Sequence, residues 1–193
     1  MQFEECWRRS LREHEETLGR LLQSTPGPLQ QLALACAGAL EAGRKLLFFG
    51  NGGSAADAQH LATELTVRYR LERPAMRAVA LTTDTSTLTA IGNDFGFDDL
   101  FARQVEALCA AGDVAIGLST SGNSENVIRG VIAARARGAL TAAFTGGAGG
   151  RLLHEVDHAI VVPSESTARI QEMHIVLGHV LCEFLESAAV RSR

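Results

Sequence analysis

Five short apolar segments recur along the chain, and helical stretches separate them. They lie near residues 45–49, 78–81, 114–118, 140–144 and 159–162. Several lack polar alternation, which is typical of a parallel sheet that is buried on both faces. The pattern predicts a doubly wound α/β fold with a five-stranded parallel sheet. Ligands of such folds bind outside the carboxyl ends of the strands, so the loops that follow strands are the candidate binding loops.

Helical periodicity extends on both sides of this region. It predicts one helix over 3–23, a second over 29–40 after a Pro/Gly break, and a long final helix over 167–190. With 193 residues, the chain is predicted to be a single domain, in which 1–43 forms N-terminal helices and 44–193 forms the α/β sandwich with the C-terminal helix. Because the final helix is apolar on more than one side, we expect a partner subunit to cover it in a homo-oligomer.

Charge, lysine and cysteine content exclude several classes of protein. The formal net charge is -4, which gives no electrostatic basis for binding nucleic acid or an anionic membrane. Lys45 is the single lysine, which argues against Schiff-base catalysis and a lysine-containing phosphate loop. The four cysteines form no C-x-x-C pair. An acidic N-terminus and the absence of an apolar run of about 20 residues favour a cytoplasmic protein without a membrane span.

A glycine-rich loop follows the first predicted strand and leads into a helix predicted over 55–68. It comprises Asn51, Gly52, Gly53 and Ser54. The glycines allow backbone to approach a ligand closely, and Ser54 is predicted to cap the helix, whose free N–H groups then face an anion or polar hydroxyls. An ordinary strand-to-helix turn with a capping serine explains the same residues, and both interpretations stand.

A second loop, after the third predicted strand, is dense in hydroxyl groups. Ser119, Thr120, Ser121 and Ser124 open a helix predicted over 125–136. Hydroxyls beside the free N–H groups and positive dipole end of a helix favour binding of a phosphate. The loop contains no Lys or Arg, so it would hold a phosphomonoester without a fixed ion pair. The alternative is an ordinary polar turn.

Several polar side chains lie where helices bring them near these loops. His60 and Glu64 are spaced i,i+4 and share one helix face, where they could share a metal ion or a substrate proton; a solvent-exposed pair is the alternative. The final helix carries polar groups that need partners in an apolar setting, with satisfied core histidines as the alternative: Gln171, Glu172, His174 and His179.

Two more polar residues follow the second predicted strand. Asn93 and Asp94 offer an amide and a carboxylate that could receive sugar hydroxyls. By composition alone they are turn residues.

Taken together, five motifs resemble the phosphoheptose isomerases of the sugar isomerase (SIS) domain family: GNGGSAADAQH at 50–60, ELT at 64–66, GNDF at 92–95, STSGNS at 119–124 and RIQE at 169–172. The resemblance implies the flavodoxin-like SIS fold. It also implies conversion of sedoheptulose 7-phosphate to D-glycero-D-manno-heptose 7-phosphate, the first step of heptose precursor synthesis for lipopolysaccharide or related envelope glycans. The expected assembly is a cytoplasmic homotetramer with active sites shared between subunits.

The resemblance also implies roles for single residues. Glu64 and His179 correspond to the acid/base pair, and Ser119, Thr120, Ser121 and Ser124 to the phosphate cradle. The sugar chain is expected to lie on Asn51, Gly52, Gly53, Asn93, Asp94 and Gln171. A zinc ion, one per subunit, is expected on His60, Glu64, Gln171 and His179, and no nucleotide cofactor is implied. One departure is Ala168, where some isomerases of the family carry an acidic residue.

Two other functions share parts of this pattern. One is a non-catalytic SIS protein that binds the replication initiator DnaA, and the other is an isomerase of another phosphosugar, such as an aminosugar phosphate. The presence of Glu64, His179 and Ser121 favours the enzyme over the non-catalytic protein. The phosphate cradle reads only the phosphate, so it leaves the identity of the sugar open.

Overall fold

The computed structural model describes residues 2–24 and 26–191. Its strands are β1 Leu46–Gly50, β2 Ala78–Ala80, β3 Val114–Leu118, β4 Leu140–Gly146 and β5 His158–Val162. Its helices are α1 Phe3–Gln23, α2 Gly27–Glu41, α3 Gly53–Thr66, α4 Thr85–Asp94, α5 Ala102–Leu108, α6 Glu125–Ala136 and α7 Thr167–Arg191. Short 3-10 turns occupy Phe97–Asp99 and Arg151–His154.

All five strands are parallel, in the order β2-β1-β3-β4-β5. This confirms the predicted fold class, and the order is that of flavodoxin-like sheets. The strand order reverses between β1 and β3, whose register pairs Gly50 with Leu118. The loops that follow these two strands therefore leave the same edge of the sheet side by side, as the topology of a binding crevice requires.

Each face of the sheet carries its own layer of helices, because neighbouring strand residues point to opposite sides. Phe48 and Ile116 lie in the cluster that includes Leu32, Leu61 and Leu181 of α2, α3 and α7. The cluster on the opposite face contains Phe49 of β1 and Phe101, which lies just before α5. It also contains side chains of α5 and α6: Val105, Val127 and Val131. Every residue of β1 and β3 is buried, which explains their continuous apolar runs.

Helix α7 is the longest helix described, and it packs on α1, α2, α3, β4 and β5. Within the described part of the chain, it is the one helix whose length and composition would allow it to cross a membrane. Its contacts with both helices and strands are those of a helix inside a folded domain. Four residues of the predicted domain, Met1, Thr25, Ser192 and Arg193, lie outside the described residues.

Candidate active site

The glycine-rich loop after β1 forms the start of α3, but the predicted serine cap is wrong. Helix α3 begins at Gly53, and its N-cap is Gly52, which has a φ of 55°. Such a positive φ favours glycine, and it starts the helix earlier than the sequence indicates. Ser54 consequently lies within the first turn, where it is buried and forms no capping hydrogen bond.

The side chain of Gln171 lies directly against this loop. A Cβ atom at Gly53 would stand 2.5 Å from Nε2 of Gln171, so only glycine leaves room for that amide. The start of α7 therefore packs against the start of α3. Gln171 and Gly53, which are both expected to hold the sugar chain, are neighbours there.

The hydroxyl-rich loop after β3 is preorganised by its own hydrogen bonds. The Oγ atoms of Ser119 and Ser124 lie 2.9 Å apart, and Ser121 Oγ accepts a 3.1 Å bond from the backbone N–H of Asn123. Ser124 is the N-cap residue of α6, yet its hydroxyl caps no amide of that helix. The first turn of α6 therefore keeps amide donors beside the loop, which suits an anion.

The loops after β1 and β3 are joined by a reciprocal amide pair. Asn51 Nδ2 donates to Asn126 Oδ1 at 2.8 Å, and Asn126 Nδ2 donates to Asn51 Oδ1 at 2.9 Å. Asn126 was not among the residues that the sequence singled out, although its place in the first turn of α6 is the signal that could have found it. The pair holds the two binding loops in a fixed relation.

The glycine run after β4 packs directly against the hydroxyl-rich loop, since a Cβ atom at Gly150 would stand 2.4 Å from the carbonyl oxygen of Ser121. Gly122 has a φ of 64°, and its carbonyl accepts a 2.9 Å bond from the N–H of Leu152. A cavity of about 340 Å³ lies between the two loops, and its wall includes Thr120, Ser121 and Gly147. Glu165, before α7, also lines this cavity. No sequence motif indicates this role for the glycines.

A cluster of three titratable side chains joins α3 to α7. His60 Nε2 lies 2.9 Å from His179 Nε2 and 3.3 Å from Glu64 Oε1, and one ligand atom from each residue lies within 4.8 Å of the others. The group could hold a metal ion. Burial lowers the pKa of His179 and the nearby His60 lowers it further, while the Glu64 carboxylate acts in the opposite direction.

Tyr69 completes the surroundings of His179. Its ring stacks on the imidazole with centroids 5.3 Å apart and planes 29° apart, and the guanidinium of Arg70 lies 5.0 Å from the tyrosine centroid. Tyr69 lies in the segment between α3 and β2, which carries no motif, so no sequence pattern indicated it.

Not all predicted site residues lie at this cluster. Gln171 precedes His179 by eight residues on α7, which is about 12 Å along the helix axis. Asn93 and Asp94 lie in the last turn of α4, so their reading as turn residues is wrong. Both are exposed, and Asn93 Nδ2 donates to Asp94 Oδ1 at 2.7 Å.

Comparison with known proteins relates this arrangement to one family. The SIS domain family matches residues 11–146. A phosphoheptose isomerase of Paramagnetospirillum magneticum is 52% identical over 189 residues, 98% of this chain and 98% of that protein. Another, of Aquifex aeolicus, is 62% identical over 148 residues, 77% of this chain and 78% of that protein. The solved structure of the phosphoheptose isomerase GmhA from Neisseria gonorrhoeae has a TM-score of 0.91 at 44% identity and covers 96% of this chain and 100% of that chain.

Proposed function

The chain belongs to the SIS domain family and, within it, to the phosphoheptose isomerases, and from that premise we propose how its residues carry out the reaction. The reaction is the aldose-ketose isomerisation of sedoheptulose 7-phosphate to D-glycero-D-manno-heptose 7-phosphate. It requires a base at the carbon-bound proton and an acid/base at the two oxygens, because the proton moves between adjacent carbons through an enediol. Neither the DnaA-binding alternative nor an isomerase of another phosphosugar has comparable support from these relatives.

Glu64 and His179 are the proposed acid/base pair, and their meeting is the observation that carries the mechanism. They lie on α3 and α7, 115 positions apart in sequence, with ligand atoms within 4.8 Å. The Glu64 carboxylate takes the C1 proton of the ketose, while His179 gives a proton to O2, which forms the enediol. His179 then takes the O1 proton, and Glu64 returns its proton to C2. The lowered pKa of His179 favours release of its proton, which is the step in which the imidazolium gives a proton to O2.

The phosphate is proposed to lie in the cavity beside Thr120 and Ser121, with Ser119 and Ser124 completing the cradle. The hydroxyls of Thr120 and Ser121 line the cavity together with the Glu165 carboxylate, and the first amides of α6 lie beside the loop. The hydroxyls and amides are neutral donors, so they would bind the dianion without an ion pair. Asn51, Gly52, Gly53, Ser54 and Gln171 are proposed to hold the sugar at the neighbouring loop, together with Asn93 and Asp94.

A zinc ion is proposed on the nitrogen and carboxylate donors of the His60 cluster. Two imidazoles and a carboxylate are a donor set that zinc accepts, and their donor atoms already converge. Gln171 is proposed as a further ligand. It would come from another subunit, because the Gln171 of the same subunit lies about 12 Å from His179 along α7. When bound, the ion would polarise substrate oxygens and stabilise negative charge on the enediol.

We propose that active sites are completed between subunits of a homotetramer. Glu64 lies eleven residues beyond Gly53, about 16 Å along α3, and that helix runs away from the phosphate loops. Eight bonds separate C1 of sedoheptulose 7-phosphate from its phosphorus atom. An extended peptide advances about 1.2 Å per backbone bond, and at the same rate these eight bonds span only about 10 Å. A phosphosugar in one cradle would therefore react at a pair from another subunit. Exposed apolar side chains on α1 and α7 offer surfaces for assembly: Phe3, Trp7, Leu22, Val180 and Phe184.

The remaining proposals concern the setting of the enzyme. The chain is proposed to form one SIS domain, because α7, which lies beyond the matched residues 11–146, packs in the same core. We place it in the cytoplasm, where its product would enter heptose precursor synthesis for lipopolysaccharide or related glycans. No nucleic acid, membrane or nucleotide cofactor is proposed as a partner.

The substitution Glu64→Gln tests the mechanism. It keeps the size of the side chain and removes the base, so kcat should fall by about 100-fold or more. Exchange of the C1 proton of sedoheptulose 7-phosphate with deuterated solvent should fall in parallel. Glu106→Gln on α5 is the matched control, because Glu106 is exposed and, among the described residues, forms an ion pair with Arg103 alone, at 3.6 Å. Near-normal turnover by a folded Glu64→Gln protein would remove Glu64 from this role.

A further inference from the structure

A buried carboxylate on α7 holds the segment that follows α3. Glu186 is 1% exposed, and it accepts bonds from three successive backbone N–H groups: Tyr69 at 3.0 Å, Arg70 at 2.7 Å and Leu71 at 2.8 Å. Burial would raise the pKa of Glu186, but these amides and the charge of Arg73 outweigh burial, so the pKa lies below its ordinary value. The carboxylate is therefore charged and fully engaged.

Arg73 connects this carboxylate to the end of α3. Its Nε atom lies 3.4 Å from Glu186 Oε1, with both side chains almost completely buried. Its Nη2 atom donates to the carbonyl of Glu64 at 2.8 Å, and Nη1 donates to the carbonyl of Leu65 at 2.8 Å. We call Glu186 and Arg73 the clamp. Through these contacts, the clamp touches the backbone of the proposed base.

The same clamp also reaches the surroundings of His179. Tyr69, whose N–H binds Glu186, is the residue whose ring stacks on the His179 imidazole. Glu186 and His179 share α7, seven residues apart, or about two helical turns. One buried ion pair is thus linked on one side to Glu64 and on the other to the ring that packs on His179.

We propose that Glu186 and Arg73 are positioning residues, which set the separation of Glu64 and His179 and hold Tyr69 against the His179 ring. The proposal rests on the acid/base roles given to Glu64 and His179. Neither clamp residue is needed to touch substrate, because each acts through the backbone of α3 or through Tyr69. The competing explanation is a buried ion pair that contributes to folding alone.

Glu186→Gln separates these explanations when it is compared with Asp113→Asn. Asp113 is buried to the same degree, and its carboxylate also accepts bonds from two backbone N–H groups and from one cation, Lys45. It lies just before β3, at the edge of the sheet opposite the candidate binding loops. We expect Glu186→Gln to lower kcat by roughly 10- to 100-fold with KM changed by less than about threefold, because a displacement of about 1 Å can cost about 100-fold. Asp113→Asn should lose thermal stability and keep its kcat.

A second pair of variants avoids any loss of the folded state. Tyr69 is only partly buried, so Tyr69→Leu should fold while removing the stacked ring, and Tyr69→Phe should retain the ring. In protein labelled with carbon-13 histidine, we expect the His179 ring resonance to shift in Tyr69→Leu and in Glu186→Gln, and to stay near its position in Tyr69→Phe. Turnover should fall in Tyr69→Leu and be largely recovered in Tyr69→Phe.

The two measurements have distinct failures. An unmoved His179 resonance in Glu186→Gln, or a kcat that falls no more than in Asp113→Asn, would overturn the positioning role. If instead the acid/base role of Glu64 is wrong, Glu64→Gln will show unchanged turnover. The His179 resonance in Glu186→Gln would then still report whether the clamp holds Tyr69 against the His179 ring. Should Glu186→Gln fail to fold, an unmoved resonance in Tyr69→Leu overturns the proposal.

Discussion

Acid sensitivity of the fold should depend on His174, the buried histidine of α7. The side chain is 0% exposed, and Nε2 donates to the Thr145 carbonyl at 3.0 Å. The ring lies 5.7 Å from that of Phe144, and no described group bonds to its Nδ1 atom. Burial lowers the pKa of His174 to about 4, despite the hydrogen bond to Thr145, which acts the other way. The folded protein therefore keeps this imidazole neutral.

The size of the effect follows from the two pKa values. In the unfolded chain His174 has its ordinary pKa of 6.5, so it takes up a proton at a higher pH than in the folded state, where the pKa is about 4. The free energy of unfolding consequently falls as pH falls through this window. One pH unit corresponds to about 1.4 kcal/mol, so the loss is about 3 kcal/mol at pH 4 and approaches about 3.5 kcal/mol at lower pH.

Urea unfolding between about pH 7 and pH 4 measures this loss, at fixed protein concentration because the proposed subunit assembly would also shift apparent stability. His174→Gln can still donate to the Thr145 carbonyl but does not titrate, so its unfolding free energy should fall by about 3 kcal/mol less over the window. His154→Gln removes an exposed histidine and should keep the steep slope, because His174 is still present. Equal slopes for wild type and His174→Gln would refute the reasoning.

Two alanine substitutions at glycines of the two candidate binding loops should both raise KM but differ in their effect on stability. In Gly122→Ala the new Cβ would lie 2.0 Å from the carbonyl oxygen of Gly149, at a φ of 64°, so thermal unfolding should report a loss of about 1–3 kcal/mol together with a higher KM. In Gly53→Ala the three heavy atoms nearest to the new Cβ all belong to the flexible end of Gln171, the first of them 2.5 Å away, so stability should change little while KM rises. A Gly53→Ala enzyme with normal KM would exclude Gln171 from sugar binding in the place where it packs.

The fold could be predicted from sequence because its strands are buried on both faces. Continuous apolar runs such as 114–118 leave few alternatives to a parallel sheet, and the helices between them follow from chain connectivity. Element ends were less predictable. Helix α3 starts at Gly53 because Gly52 adopts a positive φ. The sequence favoured Ser54 as the cap instead, because serine is a common N-cap residue.

Part of the site was predictable for a similar reason. Parallel strands place successive loops at one edge, so the hydroxyl-rich and glycine-rich loops had to be neighbours, and i,i+4 spacing placed Glu64 beside His60. The meeting of Glu64 with His179 required the family resemblance, because helical spacing alone does not specify which faces of α3 and α7 pack together. The glycine run after β4 is visible in the sequence, but its role depends on its packing against Gly122 in the folded chain.

Glu186 is a residue that the sequence marks as unusual, because it is a carboxylate in an apolar stretch, but the sequence does not reveal which groups bind it. A carboxylate within the apolar stretch that ends α7 must find donors or stay at the surface, since an unpaired buried charge is costly. Its donors are backbone N–H groups about 115 residues away, and backbone groups carry no residue identity that a sequence could display. The same segment supplies Tyr69, whose ring stacks on His179. A motif records side chains that meet a substrate, whereas the contacts that fix Glu64 and His179 relative to each other become visible only in three dimensions.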